Sequence, residues 1–209
     1  MPCEEQGSCG SCYAFASAAM LSERHCIKTG ELVPLSVEYI ISCDTLDFGC
    51  DGGHLQNTLT FLQDPVPTLQ TTTDTYIGAV EDCPLGSEGI LFCGQGEISK
   101  LETTDEIKQE ILREGPVVAN MVVFRDLLEY ESGVYHLPQD MDYAEMIGGH
   151  AVLIEGFGVE HDQEYWLVRN SWGPEWGLHG YFKIKIGESF LADQGAYSCS
   201  VKKVGNQVS

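Results

Sequence analysis

Two cysteines near the start of the chain, Cys9 and Cys12, form a C-x-x-C motif within the stretch EEQGSCGSCYAF. Such a motif occurs in redox pairs, in half of a zinc site, and where a structural thiol adjoins a reactive one. Cys12 begins a predicted helix, and the partial positive charge of a helix N-terminus favours a thiolate over a thiol. Cys9 lies on the preceding loop and lacks that advantage, so Cys12 is the candidate nucleophile.

A histidine and an asparagine supply the partners that a cysteine nucleophile needs. The segment GGHAVLIEGFGVEHDQEYWLVRNSWG is predicted to be a β-hairpin centred near Glu160, with His150 ten residues before the centre and Asn170 ten residues after it. In an antiparallel pair these residues would stand opposite each other, with Cβ atoms ~5 Å apart. An amide oxygen that accepts from one ring nitrogen fixes the tautomer, and the other nitrogen takes the thiol proton.

A glutamine adds a possible oxyanion site. Gln6 lies six residues before Cys12. Its side-chain amide and the backbone N–H of Cys12 could together hold the oxyanion of a tetrahedral intermediate. The other histidines show no metal-ligand spacing, and no paired C-x-x-C zinc pattern occurs, so we expect neither a metal ion nor another cofactor.

The first half of the chain is predicted to be helical. The first helix, from Cys12 to Lys28, is apolar on most sides in its first turns and should be buried and central. Residues 64–100 are rich in Thr, Pro and Gly and are predicted to be mostly irregular. Three further helices are predicted: Leu35–Cys43 with Ser36 as N-cap, GHLQNTLTFLQ from Gly53, and TTDEIKQEILREG with a capping box from Thr103 to Glu106.

The second half is predicted to be a sheet. After Pro116 the segments VVANMVVF, GHAVLIEGFGV, EYWLVRNSW and GYFKIKIG have the composition of strands. Helices followed by strands predict an α+β fold with segregated halves. We expect a helical domain over residues 1–108, a β domain over residues 109–209, and an active-site cleft between them.

Composition restricts the function classes. The 209 residues include 32 Asp and Glu against 11 Lys and Arg, a formal charge of -21, which argues against binding nucleic acid or an anionic membrane. The acid excess fits either a well-solvated surface or an acidic compartment. The sequence contains no run of eighteen apolar residues, so no membrane span is predicted. Nine cysteines favour an oxidising compartment, and one free thiol would leave eight for up to four disulfides.

Four segments, QGSCGSCYAF, GCDGG, GGHAVLIEGFG and YWLVRNSWGPEWGLHGYFKI, resemble the papain-like cysteine proteases in the same order. LLEYESGVY, GGHA and YWLVRNSW are closest to the cathepsin B-like branch. The resemblance implies a helical left domain and an antiparallel β-barrel-like right domain. It implies that Cys12 attacks the peptide carbonyl, His150 acts as base and then acid, Asn170 orients His150, and Gln6 completes the oxyanion hole.

The resemblance also implies residues that bind substrate. Gly52 and Gly53 would present bare backbone to an extended peptide, since glycine has no Cβ to block its approach. Trp172 would shield the Asn–His hydrogen bond, and Trp176 would line the leaving-group side. Ser198 would form the floor of the main specificity pocket, and the absence of an acid there predicts an apolar preference.

The family's disulfide pattern implies which cysteine of the C-x-x-C motif is structural. The resemblance implies that Cys9 is structural and pairs with Cys50, which argues against a thiol–disulfide oxidoreductase. It implies further pairs of Cys43 with Cys83 and of Cys3 with Cys26. The pairing of Cys93 and Cys199 stays open.

The predicted function is that of a cysteine endopeptidase. No His-His pair lies between Gly53 and Thr103, whereas cathepsin B has an occluding loop with two adjacent histidines, so an open cleft is expected. The alternatives are a non-catalytic binding protein on the same fold and a peptide ligase. Expected partners are protein and peptide substrates, an inhibitory pro-segment and cystatin-like inhibitors.

The expected location follows from the start of the chain and from the family that it resembles. The short, polar start of the chain carries no secretory leader, so we expect either a processed or truncated piece or a cytosolic protein. The family predicts a lysosome-like acidic vesicle or secretion.

Overall fold

The computed structural model describes residues 4–67, 76–83, 90–137, 140 and 142–204. These residues form helices followed by a mixed sheet, which confirms the α+β class. Within these ranges, no helix combines the length and apolar character needed to cross a membrane.

Helix α1, Cys12–Thr29, is the central helix that the sequence predicted. Every residue from Tyr13 to Ser22 is buried, because small and apolar side chains surround the helix in its first turns. The helix ends at Gly30, whose φ of 79° is left-handed and whose N–H donates to Cys26 O at 2.7 Å. The buried N-terminal half fixes Cys12 relative to the sheet.

The smaller helices begin where their caps predict. Helix α2, Val37–Cys43, follows Ser36, whose hydroxyl accepts from Tyr39 N–H at 3.1 Å. Helix α3 is Leu55–Phe61, and helix α4 is Thr104–Glu114 with the predicted capping box at Thr103 and Glu106. Three short 3₁₀ turns occur at Gly49–Asp51, Arg125–Glu129 and Tyr143–Glu145.

Seven strands of the described residues form one sheet in the order β1-β7-β2-β4-β5-β6-β3. All neighbouring strands are antiparallel except β3 and β6. The strands are Leu91–Leu101 (β1), Val117–Phe124 (β2), Val134–Tyr135 (β3), Met146–Glu160 (β4), Gln163–Arg169 (β5), Tyr181–Lys185 (β6) and Ala196–Lys203 (β7). The sheet is open, so the strands do not close into the barrel that the resemblance suggested.

Strand β1 occupies the last ten residues of segment 64–100, which was predicted to be mostly irregular; the described residues 64–67 and 76–83 before it form no helix or strand. The strand spans eleven residues and pairs with β7, which lies at the opposite end of the chain. A strand from the first half of the sequence therefore extends the sheet of the second half. The domain division at residues 108 and 109 stays a prediction.

Alternation along the strands divides the apolar side chains between two cores. Val118, Ala151 and Leu153 belong to the core that surrounds α1. Ala119 and Val152 belong to a second core that contains Trp166 and Phe182. Because successive side chains of a strand point to opposite faces, β2 and β4 separate the two cores. The face of β4 that bears Ala151 and Leu153 packs against α1.

Three disulfides cross-link the described residues. Cys9–Cys50 and Cys43–Cys83 are present as the resemblance implied. Cys93–Cys199, the pair left open by the sequence, joins β1 to β7. Among the described cysteines, Cys12 and Cys26 are free. The predicted pair of Cys3 with Cys26 cannot be assessed, since Cys3 lies outside the described residues.

Candidate active site

Cys12 is the first residue of α1, and the loop before it is held against a second loop. Gly10 N–H donates to Cys50 O at 2.8 Å, next to the Cys9–Cys50 disulfide. A Cβ at Gly10 would lie 2.7 Å from Cys50 O, so only glycine permits this approach. The first turn of α1 has no acidic residue that would oppose a thiolate. Cys12 Sγ accepts a hydrogen bond from Ala151 N–H at 3.4 Å, across the cleft.

His150 lies on β4 and is oriented by Asn170. His150 Nε2 is 2.8 Å from Asn170 Oδ1, and the His150 side chain is buried. Ser171 N–H also donates to that Oδ1 at 2.8 Å, which identifies the atom as the acceptor. Nε2 therefore carries the proton, and Nδ1 of the neutral ring is left as the basic nitrogen.

The register differs in detail from the predicted one. Leu153 stands opposite Arg169, and a bulge lies between Ile154 and Gly156. Asn170 follows the end of β5 and is not the register partner of His150, so only its side chain reaches the imidazole. The predicted contact is present, but a side chain spans it instead of a cross-strand pair.

Two tryptophans cover the histidine. The rings of Trp172 and His150 are stacked with centroids 5.0 Å apart. Trp176 meets Trp172 edge-on at 4.9 Å and contacts Tyr130 and Phe182. Trp172 thus covers one face of the His150 ring, and its role in shielding the His150–Asn170 hydrogen bond stays a prediction.

Burial disfavours the charged forms of both Cys12 and His150. It raises the pKa of the Cys12 thiol above its ordinary value, although backbone N–H groups oppose the rise. It lowers the pKa of His150 to about 4, although the hydrogen bond to Asn170 opposes the fall. If the Cys12 proton moved to His150, both charges would form together and their attraction would offset part of the desolvation cost.

Gln6 is fixed at the cleft by Ser171 and by the nucleophile loop. Its Nε2 donates to Cys9 O at 2.8 Å, and its Oε1 accepts from the Ser171 hydroxyl at 2.6 Å. Its backbone N–H donates to Ser171 O at 2.8 Å. One hydrogen of the amide group remains for a ligand in the cleft.

A cleft of about 710 Å³ brings most of these residues together. Gln6, Cys12, Gly52, Gly53 and His150 all line it. The described lining does not include Trp172, Trp176 or Ser198; it does include residues that the sequence analysis did not single out, among them Asn120, Met121, Tyr143, Met146 and Phe190. No pattern in the sequence identifies these five as cleft residues.

Ser198 is buried on β7, away from the cleft lining. Its hydroxyl donates to Glu110 Oε1 at 3.0 Å, and the same carboxylate oxygen pairs with Arg24 at 2.9 Å. The position predicted as a pocket floor thus lies in a buried polar network between α1, α4 and β7.

The two glycines of the GCDGG segment are required for different reasons. Gly52 has a φ of 111°, a conformation that other residues rarely adopt. A Cβ at Gly53 would lie 2.8 Å from the ring of Tyr13 and 2.8 Å from Asp47 Cγ. Packing alone therefore excludes a side chain at Gly53. The described residues contain no group of three or more His, Cys, Asp or Glu placed to bind a metal ion.

Comparison with known proteins places this geometry in context. A family model described as "Papain family cysteine protease" matches residues 1–204. The chain is similar to Cathepsin B-like CP1 of Giardia intestinalis, 38% identical over 202 residues covering 89% of this chain and 64% of that protein. It is similar to Cathepsin B-like CP3 of the same organism, 36% identical over 195 residues covering 86% and 62%.

Relatives of other branches also match. Cathepsin L-like proteinase of Phaedon cochleariae is 30% identical over 216 residues, covering 99% of this chain and 61% of that protein. The chain therefore spans less than two thirds of the length of these three relatives.

Proposed function

Because the chain belongs to the papain family of cysteine proteases, we propose that it is a cysteine endopeptidase that works through an acyl-enzyme. The observation that carries the proposal is the arrangement of three side chains. Cys12 and His150 line one cleft, and Asn170 holds His150 by a 2.8 Å hydrogen bond that leaves Nδ1 basic.

The proposed chemistry has two halves. The Cys12 proton moves to His150 Nδ1, and Sγ attacks the peptide carbonyl carbon to form a tetrahedral intermediate. The free hydrogen of the Gln6 amide and the backbone N–H of Cys12 stabilise its oxyanion. His150 then protonates the leaving amine and the C–N bond breaks. A water molecule, deprotonated by His150, hydrolyses the thioester and restores the thiol.

The proposed substrate lies extended along the GCDGG segment. Gly52 and Gly53 line the cleft and carry no side chain there, so a peptide backbone can approach their polar groups. Trp172 would protect the His150–Asn170 hydrogen bond, and Trp176 would border the leaving-group side. The substrates would be proteins and unfolded peptides.

Placement in the cathepsin B-like branch and endopeptidase action belong to the same proposal. The absence of adjacent histidines between Gly53 and Thr103 favours a cleft open at both ends. An inhibitory pro-segment and cystatin-like inhibitors are the proposed partners, and an acidic vesicle or the secreted fluid is the proposed location. Peptide products distinguish the proposal, since internal cleavage supports it and release of C-terminal dipeptides alone contradicts it. Joined peptides in the presence of an amine would indicate a ligase.

The proposed nucleophile can be tested directly with an epoxide inhibitor of thiol proteases, followed by mass spectrometry of the labelled peptide. We expect one adduct on Cys12, and its loss in His150→Ala. Cys26 provides an internal control, because it is a partly buried free thiol that does not line the cleft. Equal labelling of Cys12 and Cys26, or unchanged labelling of Cys12 in His150→Ala, would contradict an activated thiolate.

A further inference from the structure

The segment Glu188–Gly195, between β6 and β7, has a strained backbone beside the cleft. Ser189, Phe190 and Ala192 have φ values of 51°, 53° and 63°. Residues with a Cβ rarely adopt this region, and a bulky residue such as phenylalanine adopts it least readily. Strained backbone of this kind is concentrated at functional sites, where the surrounding structure holds it in place.

Two backbone hydrogen bonds and one buried side chain hold the segment against β2. Val122 N–H donates to Ser189 O at 2.8 Å, and Ala192 N–H donates to Asn120 O at 3.1 Å. Leu191 is only 3% exposed and belongs to the core beneath the sheet. With both neighbours fixed, Phe190 has little freedom to turn away from the cleft.

Phe190 is the exposed apolar residue of this segment and lines the cleft, as do its exposed polar neighbours Asp193 and Gln194. Its side chain is 45% exposed, although burial of a phenylalanine is normally favourable. Tyr143 and Met146, two further exposed apolar side chains, line the same cleft. The cleft lining, over the part of the chain that the structure describes, includes no Lys or Arg. Phe190, Tyr143 and Met146 thus present apolar surface that a ligand could cover, beside the polar Asn120 and Asp193.

We propose that Phe190 is a specificity-determining residue for peptide cleavage. Its ring forms an apolar wall against which a bulky aliphatic or aromatic side chain of the substrate packs, and the strained backbone keeps the ring in that position. This inference rests on the proposed protease function, and it names the residue and the substrate class that the function leaves open. It assigns the apolar preference to Phe190 on the cleft wall, whereas Ser198 is buried elsewhere.

The test compares Phe190→Ala and Phe190→Gly with Phe48→Ala. Phe48 is a matched control, because its side chain is 67% exposed and does not line the cleft. The substrates are peptides in which each position around the cleaved bond is varied in turn between Leu, Phe and Ala. At one position, we expect the preference in kcat/KM for Leu or Phe over Ala to fall by about tenfold in both Phe190 variants. Phe48→Ala should retain the wild-type preference.

Phe190→Gly serves to separate the effect of losing the ring from an effect of lost stability. Glycine adopts a positive φ without strain, so this variant should unfold at the same temperature as Phe190→Ala or at a higher one. The rate at which iodoacetamide alkylates Cys12 reports the integrity of the reacting pair, since this small reagent does not need the Phe190 wall. We expect that rate to be unchanged in the Phe190 variants.

Two outcomes separate the inference from the proposed function. If folded Phe190→Gly keeps the wild-type preference at every position, or if Phe48→Ala loses it equally, the assignment of Phe190 is overturned. If the wild type cleaves no peptide, the proposed function fails. The preference for Leu over Ala is then measured as the ratio of peptide Kd values in a Cys12→Ala background, where the same tenfold change is expected.

Discussion

The two walls of the cleft are each stabilised by a different kind of interaction. On the nucleophile side, which comprises Gln6–Cys12 and Gly49–Gly53, a loop and a 3₁₀ turn are joined by the Cys9–Cys50 disulfide. On the imidazole side, which comprises His150 and Asn170–Trp172, a paired strand and stacked aromatic rings hold His150 and its asparagine partner. Strands pair along their length, whereas short loops make few contacts. A loop that must hold a nucleophile therefore gains more from a covalent cross-link.

A buried ion pair joins the two sides away from the cleft. Arg24 of α1 donates to Glu110 of α4 at 2.9 Å and to Pro116 O and Cys199 O at 2.7 and 3.1 Å. The Ser198 hydroxyl donates to the same Glu110 carboxylate at 3.0 Å. Buried ions are tolerated when hydrogen bonds satisfy them, as they do here. This network links α1, α4 and β7 and so fixes the position of the helices relative to the sheet.

The largest expected effect comes from the two disulfides on the helical side. Their sequence separations are 41 and 40 residues, so loop-closure entropy predicts the same stabilisation of about 4 kcal/mol for each. We expect Cys9→Ser/Cys50→Ser and Cys43→Ser/Cys83→Ser to lower the free energy of unfolding equally. Only the first pair should also lower kcat, because only it adjoins Cys12. Urea denaturation and steady-state kinetics measure the two effects.

Two outcomes for these double variants would contradict the prediction. Equal losses of kcat in both double variants would show that the disulfides act through global stability alone. No loss in either would show that the nucleophile side needs no cross-link, and the contrast between the two walls would then disappear.

The second prediction concerns the imidazole side. Asn170→Ala removes the acceptor of the His150 Nε2–H hydrogen bond and frees the ring to rotate. We expect kcat to fall by about 10²-fold, as for other partners that orient a functional histidine. Asn57→Ala is the matched control on helix α3, outside both walls, where the Asn57 amide donates to Leu46 O at 2.9 Å. A loss of kcat in Asn57→Ala as large as that in Asn170→Ala would contradict the orienting role.

Sequence reasoning was more successful for the site than for the cleft around it. The His150–Asn170 contact followed from residue types and from the approximate centre of one hairpin. The register was missed because the bulge between Ile154 and Gly156 leaves no signal except a glycine. The Phe190 wall was missed because no local pattern predicts a positive φ at phenylalanine.

The sequence predicted features of the fold that depend on neighbouring residues, but not features that depend on distant ones. The Ser36 cap and the Thr103–Glu106 capping box lie within one turn of the helices that they begin, and both were predicted. Strand β1 contains Gly94 and Gly96 and resembles a loop in isolation. It becomes a strand through pairing with β7, and the disulfide between these two strands spans 106 residues. Interactions at that separation leave no periodic pattern.

The third prediction is that folding stability depends on pH through two carboxyl groups, one after helix α2 and one on strand β4. Burial raises the pKa of Asp44, which follows α2, to about 6. Burial, and then the neighbouring Glu23 carboxylate, raise the pKa of Glu155 on β4 to about 7. An acid whose pKa is higher in the folded state binds its proton more tightly there than in the unfolded chain. Stability therefore rises as pH falls from about 8 to about 5.

We expect the protein to be more stable at pH 5 than at pH 7.5 by about 1 to 2 kcal/mol, after allowing for solvent screening near Asp44. Urea denaturation at high salt measures this gain, because salt screens the surface charges but not the buried ones. Asp44→Asn and Glu155→Gln should each remove part of it. A stability profile unchanged by both substitutions would assign the pH dependence to the net charge of -21 instead.

The smallest effects come from two helix caps, one near each side. The Ser36 hydroxyl accepts from Tyr39 N–H at 3.1 Å and is fully buried, whereas the Thr103 cap of α4 is exposed to solvent. Loss of an N-cap costs about 1 kcal/mol. Water can replace the Thr103 hydroxyl, but it cannot readily reach Tyr39 N–H after Ser36→Ala. Ser36→Ala should therefore lower the free energy of unfolding more than Thr103→Ala, and neither should change kcat. The opposite ranking would mean that the reciprocal bond from Glu106 makes the Thr103 capping box more than a solvent-replaceable contact.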